Sequence, residues 1–216
     1  KASGLIEVIG EAVDAEYLKE VKDVNINPAL IEEFGKDMKI VYTPLHGTGE
    51  MLARRALAQA GFDSVQVVEA QATADPDFST VNSPNPESQA AFALAEELGR
   101  KVGADVLVAT DPDADRVGVE VLQKDGSYLN LSGNQIGAIM AKYILEAHKN
   151  AGTLPENAAL CKSIVSTDLV TKIAESYGAT MFNVLTGFKF IAEKIQEFEE
   201  KHNHTYMMGF EESFGY

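Results

Sequence analysis

Near the middle of this 216-residue chain, a short apolar run is followed at once by three aspartates at alternate positions. The run, Val106–Thr110, has the length and the β-branched content of a buried strand. The acidic segment 111–116 therefore follows the carboxyl end of a strand, where open α/β sheets usually place their ligands. Helical and strand patterns alternate along most of the chain, which predicts an α/β fold.

The acidic segment is best explained by a bound cation. Asp111, Asp113 and Asp115 crowd three like charges into five residues, and a hard divalent ion offsets that repulsion through oxygen ligands. The segment therefore predicts a Mg²⁺ site, with a substrate phosphate or water completing the coordination shell. Arg116 either holds a phosphate oxygen with its guanidinium or balances the local carboxylates.

Three other interpretations of the acidic segment compete with a Mg²⁺ site. An EF-hand calcium loop needs Gly at its sixth position and Glu at its twelfth, and the chain has Arg116 and Leu122 there. That interpretation is excluded. A solvated acidic turn stays open, because Asp and Pro favour turns. A phosphatase with Asp111 as nucleophile also stays open, although the other two aspartates would crowd that nucleophile with negative charge.

Composition narrows the choice of partners. The net charge of −15 disfavours binding to nucleic acid and to anionic membranes, since both need a basic surface. Cys161 is the single cysteine, so no intramolecular disulfide can form, and a cytoplasmic location is expected. No apolar stretch reaches membrane-spanning length.

The patterns predict two consecutive α/β units with mixed sheets flanked by helices, divided into residues 1–132 and 133–216. The segment 75–87 is predicted to be a loop, because its prolines remove hydrogen-bond donors. Strands are predicted at 39–43, 64–69, 106–110 and 118–122, then at 159–164, 179–184 and 205–209. Helices are predicted at 14–22, 28–34, 50–60 and 88–102, then at 133–149, 167–177 and 189–201.

Three further loops carry groups suited to a ligand. The segment 46–49, His-Gly-Thr-Gly, is either a tight turn or an anion site at a helix N-terminus. Thr186 and the backbone of Gly187 lie between a predicted strand and helix, and Lys189 is either a phosphate contact or a surface lysine. The segment 211–213, Glu-Glu-Ser, follows an apolar strand and suits recognition of vicinal sugar hydroxyls.

Several of these motifs resemble those of the phosphoglucomutase/phosphomannomutase family. The segment Asp-Pro-Asp-Ala-Asp-Arg at 111–116 is similar to the family's metal-binding loop, Asp-Gly-Asp-x-Asp-Arg, with Pro112 in place of the usual Gly. The segment 210–215 resembles the family's sugar-specificity loop, in which Glu211 and Ser213 occupy the sugar-contacting positions. The remaining matches are the sugar-contacting Thr-Gly loop at Thr186, Gly187 and Lys189; a substrate-facing basic residue at Lys162; the Pro-Asn-Pro-Glu element at 84–87; and a His-Gly turn at His46, for which we expect a structural role.

The resemblance implies domains two and three of a phosphohexomutase, most like a bacterial phosphoglucomutase. Such an enzyme interconverts glucose 1-phosphate and glucose 6-phosphate through a phosphoserine and glucose 1,6-bisphosphate, with Mg²⁺ as cofactor. The sequence contains neither the Ser-His-Asn-Pro loop that carries the phosphoserine nor the family's Arg-x-Ser-Gly-Thr loop. We therefore expect no catalytic nucleophile in this chain, a second unit truncated at its C-terminus, and no turnover by the chain alone.

Two alternatives to a phosphoglucomutase stay open. One keeps the family but changes the chemistry to a phosphopentomutase, a phosphomannomutase or a sugar bisphosphate synthase. The other is a non-enzymatic module that binds a metal or a sugar phosphate.

Overall fold

The computed structural model describes residues 3–216, which form two α/β units. The helices are α1 (Gly10–Asp23), α2 (Pro28–Phe34), α3 (Glu50–Ala60), α4 (Glu69–Ala72), α5 (Ala93–Val102), α6 (Gly133–Ala151), α7 (Leu169–Ser176) and α8 (Phe188–Lys201). The strands are β1 (Ile40–Thr43), β2 (Val65–Val67), β3 (Val106–Thr110), β4 (Val117–Leu122), β5 (Tyr128–Asn130), β6 (Ala158–Ser163), β7 (Thr180–Val184) and β8 (Thr205–Phe210).

The first unit is built on a five-stranded mixed sheet in the order β2-β1-β3-β4-β5. Strand β1 pairs in parallel with β2 and β3, whereas β4 and β5 are added antiparallel. Because β1 and β3 are parallel, the loops that follow them lie at the same edge of the sheet. Every residue of β1 is buried, and Leu107 of β3 packs with Phe92 in the core beneath the sheet.

The second unit has a three-stranded sheet in the order β7-β6-β8. Both pairings are parallel, so this sheet is not mixed as the first one is. The reason is topological, since a helix crosses over between each pair of consecutive strands. The core strand β6 is buried at every position, and Leu145 of α6 packs with Leu160 and Phe210.

The α/β class and the two-unit organisation are thus confirmed, with local differences from the predicted elements. Helix 88–102 is divided into a 3₁₀ turn over Gln89–Phe92 and the α-helix that follows it. Strand β5 and the one-turn helix α4 were not predicted. Helices α3 and α5 end where predicted, at Ala60 and Val102, and the glycines that follow them, Gly61 and Gly103, adopt left-handed conformations with φ of 105° and 67°.

The two units contact each other beside the acidic segment. The backbone N–H of Val117, at the start of β4, donates to the carbonyl of Phe214 at 3.0 Å. Farther away, the Asn27 amide donates to the Tyr143 hydroxyl at 3.0 Å. The loop after β8 is therefore held next to the loop after β3.

Within residues 3–216, none of the helices combines the length and the apolar character needed to cross a bilayer.

Candidate functional site

The three aspartates of the acidic segment converge in space. Asp111, Asp113 and Asp115 each offer one carboxylate oxygen, and these oxygens lie within 4.8 Å of one another. Asp111 is buried at the end of β3, whereas the other two side chains are exposed. An all-oxygen donor set of this spacing fits a hard divalent cation of the Mg²⁺ or Ca²⁺ type.

Asp111 is fixed by Arg116. Its Oδ1 accepts a hydrogen bond from the Arg116 backbone N–H at 3.0 Å, and its Oδ2 accepts one from the Arg116 Nε at 2.9 Å. Burial disfavours the charged form of Asp111, but these hydrogen bonds outweigh burial and leave its pKa below the ordinary value. Asp111 therefore stays a carboxylate, as a metal ligand must.

Asp115 shows the opposite effect. Partial desolvation raises its pKa, and the negative charges of Asp111 and Asp113 raise it further. Arg116 offsets this only in part, since its Nε lies 3.8 Å from Asp115 Oδ1. The repulsion that the sequence predicted is thus present in the folded loop, and a cation would relieve it.

The loop after β1 packs against the acidic segment. A Cβ on Gly47 would lie 2.5 Å from Pro112 Cα, so only glycine allows this close approach. The Thr48 backbone N–H donates to the Pro112 carbonyl at 2.8 Å. Ala114 takes a left-handed conformation (φ 62°) as the acidic segment turns back toward β4.

His46 is held within the fold through both ring nitrogens. Its Nδ1 lies 2.8 Å from the Thr73 carbonyl oxygen, and its Nε2 lies 2.8 Å from the Thr80 hydroxyl. Because a carbonyl oxygen can only accept, Nδ1 carries the proton and Nε2 accepts from Thr80 in the neutral ring. Both ring nitrogens are engaged, and His46 is buried, so the ring ties the loop after β1 to the segment 73–80.

An open cleft lies over the acidic segment. The backbone course of 75–87 brings this loop to the cleft, where its side chains join those of the acidic segment. Arg116 also approaches this loop, with its Nη1 3.7 Å from Glu87 Oε1. The sequence predicted only a loop over 75–87 and assigned neither Ser83 nor Asn85 to the site. The lining residues are Thr48, Phe78, Ser83, Pro84, Asn85, Asp111, Pro112, Asp113 and Arg116.

The predicted site residues of the second unit, in the Thr-Gly and Glu-Glu-Ser loops and at Lys162, lie at the carboxyl ends of β6, β7 and β8. Glu211 is buried, and its Oε1 accepts a hydrogen bond from the Gly187 backbone N–H at 2.6 Å. Ser213 is partly exposed and Thr186 is exposed. The structure therefore brings the predicted Thr-Gly and Glu-Glu-Ser loops together.

The two lysines have protein partners. Lys162 is 1 % exposed; its Nζ donates to the Ser166 carbonyl at 2.9 Å and lies 3.2 Å from Asp168 Oδ1. Lys189 is exposed, with its Nζ 4.7 Å from the centre of the Phe190 ring. These contacts orient both side chains, and their phosphate or substrate contacts stay predictions.

The fold and the site together define a class of protein with two α/β units. In this class one unit carries an acidic loop after a strand, here β3, and the other carries a carboxylate loop, here after β8. Residues 15–124 match the family model described as phosphoglucomutase/phosphomannomutase, alpha/beta/alpha domain II, and residues 132–216 match that of domain III. The chain belongs to this family, and the resemblance drawn from its motifs is confirmed.

Individual relatives agree with this assignment. The chain is 37% identical over 207 residues to the phosphoglucomutase of Staphylococcus haemolyticus, covering 95% of the chain and 36% of that relative. It is 37% identical over 213 residues to the phosphoglucomutase of Staphylococcus epidermidis, covering 98% of the chain and 37% of that relative. The chain therefore spans just over a third of the length of these curated relatives.

A solved structure shares the fold. A phosphoglucomutase/phosphomannomutase family protein from Burkholderia thailandensis superposes with a TM-score of 0.66 at 18% identity, over 94% of this chain and 38% of that one. At this identity the likeness supports the fold and not a particular substrate.

Proposed function

We propose that this chain supplies the metal-binding and sugar-binding domains of a phosphoglucomutase that interconverts glucose 1-phosphate and glucose 6-phosphate through glucose 1,6-bisphosphate. The observation that carries the proposal is the convergence of three carboxylate oxygens within 4.8 Å, at the carboxyl end of a strand and beside a fixed arginine. We place the division between the two domains at residues 132 and 133, and the protein in the cytoplasm.

Asp111, Asp113 and Asp115 would hold Mg²⁺, which when bound neutralises negative charge on the transferring phosphoryl group. Arg116 keeps its guanidinium beside the cleft through the bond to Asp111, and it is placed to hold a phosphate oxygen. The nucleophilic phosphoserine would come from a part of the enzyme outside this sequence, so the chain alone should show no turnover.

The sugar would be recognised at the carboxyl ends of β7 and β8. Glu211 is fixed through one oxygen by Gly187, which leaves the second oxygen to accept a bond from a sugar hydroxyl. Ser213 and Thr186 offer hydroxyl groups nearby, and Lys189 and Lys162 supply positive charge near the phosphate. In a chain of net charge −15, these few cations are needed to hold an anionic substrate.

A calorimetric titration of Mg²⁺ into the chain and into Asp113→Asn tests the metal site. Asp113 is exposed, so the substitution removes a ligand oxygen's charge without opening the core. We expect the Mg²⁺ affinity to fall roughly tenfold or more, since even partners outside the coordination shell are worth about tenfold to a hundredfold.

The matched control is Asp37→Asn. Asp37 is also exposed, but it precedes β1 and therefore lies at the opposite end of the sheet from the acidic segment. Its substitution should leave the affinity unchanged. Equal Mg²⁺ affinities for wild type and Asp113→Asn would contradict the assignment of the ligands.

A further inference from the structure

Two adjacent carboxylates of the loop after β8 hold the loops that follow the two other strands of the second sheet. Glu211 accepts from the backbone N–H of Gly187, in the loop after β7. Glu212 turns to the loop after β6 instead, where its Oε2 lies 3.0 Å from the Ser163 hydroxyl and 3.0 Å from the Ser166 hydroxyl. One short segment thus connects all three loops at this edge.

The contacts of Glu212 form a built anchor. The Ser163 and Ser166 hydroxyl oxygens lie 2.7 Å apart, and the Glu212 backbone N–H donates to Ser166 Oγ at 3.1 Å. The two serine hydroxyls and Glu212 Oε2 make three contacts with one another, but only the two hydroxyls carry protons. The carboxylate can only accept, so at least one hydroxyl must donate to it. Ser163 and Ser166 are 0% and 5% exposed, so water has little access to their hydroxyl groups.

The other end of the loop is held by the first unit. Phe214 has a left-handed backbone (φ 69°), and its carbonyl accepts from the Val117 backbone N–H at 3.0 Å. Ser213 lies between these two attachments. Its side chain is partly exposed and, within the described residues, makes no hydrogen bond.

We infer that Glu212 is a positioning residue, whose carboxylate, fixed by Ser163 and Ser166, holds Glu211 and Ser213 in place for the sugar. This inference rests on the proposed function. It adds a role for a residue that does not itself contact the ligand: Glu212 is committed to the two serines, and its neighbours on either side carry the groups left for sugar hydroxyls. Lys162 supports the same anchor, since its Nζ donates to the Ser166 carbonyl.

The test compares Glu212→Ala, Glu212→Gln, Ser166→Ala and the double variant Glu212→Ala/Ser166→Ala with wild type. Glu193→Ala serves as the matched control, because Glu193 is an exposed glutamate on α8 of the same unit. Three quantities are measured for each variant: the affinity for glucose 1-phosphate at saturating Mg²⁺, the affinity for Mg²⁺ alone, and the backbone amide NMR shifts of Gly187 and Ser213 without ligand.

We expect Glu212→Ala to weaken glucose 1-phosphate binding roughly tenfold or more, as for other groups that orient a ligand-binding residue. Its Mg²⁺ affinity should stay at the wild-type value, and Glu212→Gln, which keeps an acceptor oxygen, should recover most of the binding. Removing Ser166 as well should add little, because the two residues act as one unit. Unchanged binding in Glu212→Ala, or full additivity with Ser166→Ala, would overturn the inference.

The amide shifts separate this inference from the proposed function. If wild type does not bind glucose 1-phosphate, the sugar site of the proposed function fails, and the anchor is then judged by the shifts alone. Displaced Gly187 and Ser213 amides in Glu212→Ala but not in Glu193→Ala would support the anchor, and unmoved amides would refute it. Should Glu212→Ala fail to fold, Ser166→Ala is held to the same expectations.

Discussion

At the scale of single residues, Glu120 is an unusual side chain, because carboxyl groups are rarely buried without a partner. It lies on β4 with no exposed surface, and within residues 3–216 neither carboxylate oxygen has a hydrogen-bond partner. Burial raises its pKa to about 7, and the negative charge of Glu96 on α5 adds to the effect. A buried carboxyl group without partners is expected to hold a proton near neutral pH.

This protonation makes stability depend on pH. The ordinary pKa of 4.5 applies in the unfolded chain, so between about pH 4.5 and pH 7 the folded state binds more protons than the unfolded one. The free energy of unfolding should therefore fall as the pH rises through this window, by about 3 kcal/mol for this group. Glu120→Gln, which cannot ionise, should lose that part of the pH dependence.

Urea unfolding of wild type and Glu120→Gln at pH 5 and pH 8 measures the difference. Glu97→Gln is the control, since Glu97 is exposed on the same helix that faces Glu120. It should keep the wild-type pH slope. If Glu120→Gln also keeps that slope, the carboxyl group is ionised in the folded chain.

The sequence could not have identified Glu120 as buried. Residues 117–122 read Val-Gly-Val-Glu-Val-Leu, and the alternation of valine favours a strand whose valines face the core. The structure buries Gly118 and Glu120 more fully than the valines. Gly118 is needed there because a Cβ would lie 2.7 Å from the Pro86 carbonyl oxygen. Contacts with loop 75–87 and with Phe92, which are distant in sequence, cover this face of β4.

At the scale of secondary-structure elements, the N-terminus of α6 is the point where a helix and the proposed sugar loop are packed most closely. A Cβ on Gly133 would lie 1.9 Å from the Glu212 carbonyl oxygen. The helix begins here with a capping box between Ser132 and Gln135. The capping box fixes the residue at which α6 begins. The loop after β8 could not lie this close to the helix if a residue larger than glycine stood at position 133.

We expect Gly133→Ala to destabilise the chain, although alanine favours a helix by about 1 kcal/mol over glycine. The clash is with backbone, so either the loop or the helix must shift, which should cost about 1–3 kcal/mol. Thermal or urea unfolding measures the change. Asn150→Ala, an exposed substitution in the last turn of α6, should be neutral or slightly stabilising. Equal stability of Gly133→Ala and wild type would show that the loop yields freely.

The helices were predicted better than the short strands. Glycines end α3 and α5 at the expected residues, because a left-handed residue is a local signal that the sequence carries. Strand β5, Tyr128–Asn130, has three residues and exists only through its pairing with β4. The candidate site shows the same difference between local and distant signals. The acidic loop could be found from the local spacing of its aspartates. Packing between distant segments brings Ser83 and Asn85 to the acidic segment, and it brings Ser163 and Ser166 to Glu212.

At the scale of the whole molecule, the proposed metal and sugar loops come from different units and meet through the hydrogen bond between Val117 and Phe214. The residues of each motif were enough to predict both loops. Their contact could not be inferred, because it depends on how two separately folded sheets pack together. Since each loop follows the carboxyl end of its own strand, the packing of the units brings two binding edges into one region.

The net charge of −15 predicts how salt changes ligand binding by the molecule as a whole. A field of this sign attracts Mg²⁺ and repels a phosphorylated sugar, and monovalent salt screens both effects. Raising the salt from about 0.01 M to 0.15 M shortens the Debye length from about 30 Å to 8 Å. We therefore expect Mg²⁺ affinity to fall, and glucose 1-phosphate affinity at saturating Mg²⁺ to rise, over the same range of NaCl.

Calorimetric titrations at the two salt concentrations give both affinities. Replacing NaCl by tetramethylammonium chloride separates screening from competition by Na⁺ at the three aspartates, because the bulky cation screens charge but is a poor ligand for a carboxylate cluster. If both affinities fall with salt in either medium, the local cations Arg116, Lys162 and Lys189 govern phosphate binding. If the two affinities change in opposite directions, the distributed acidic charge of the chain governs phosphate binding. The cations of the site then only orient a ligand that the rest of the surface repels.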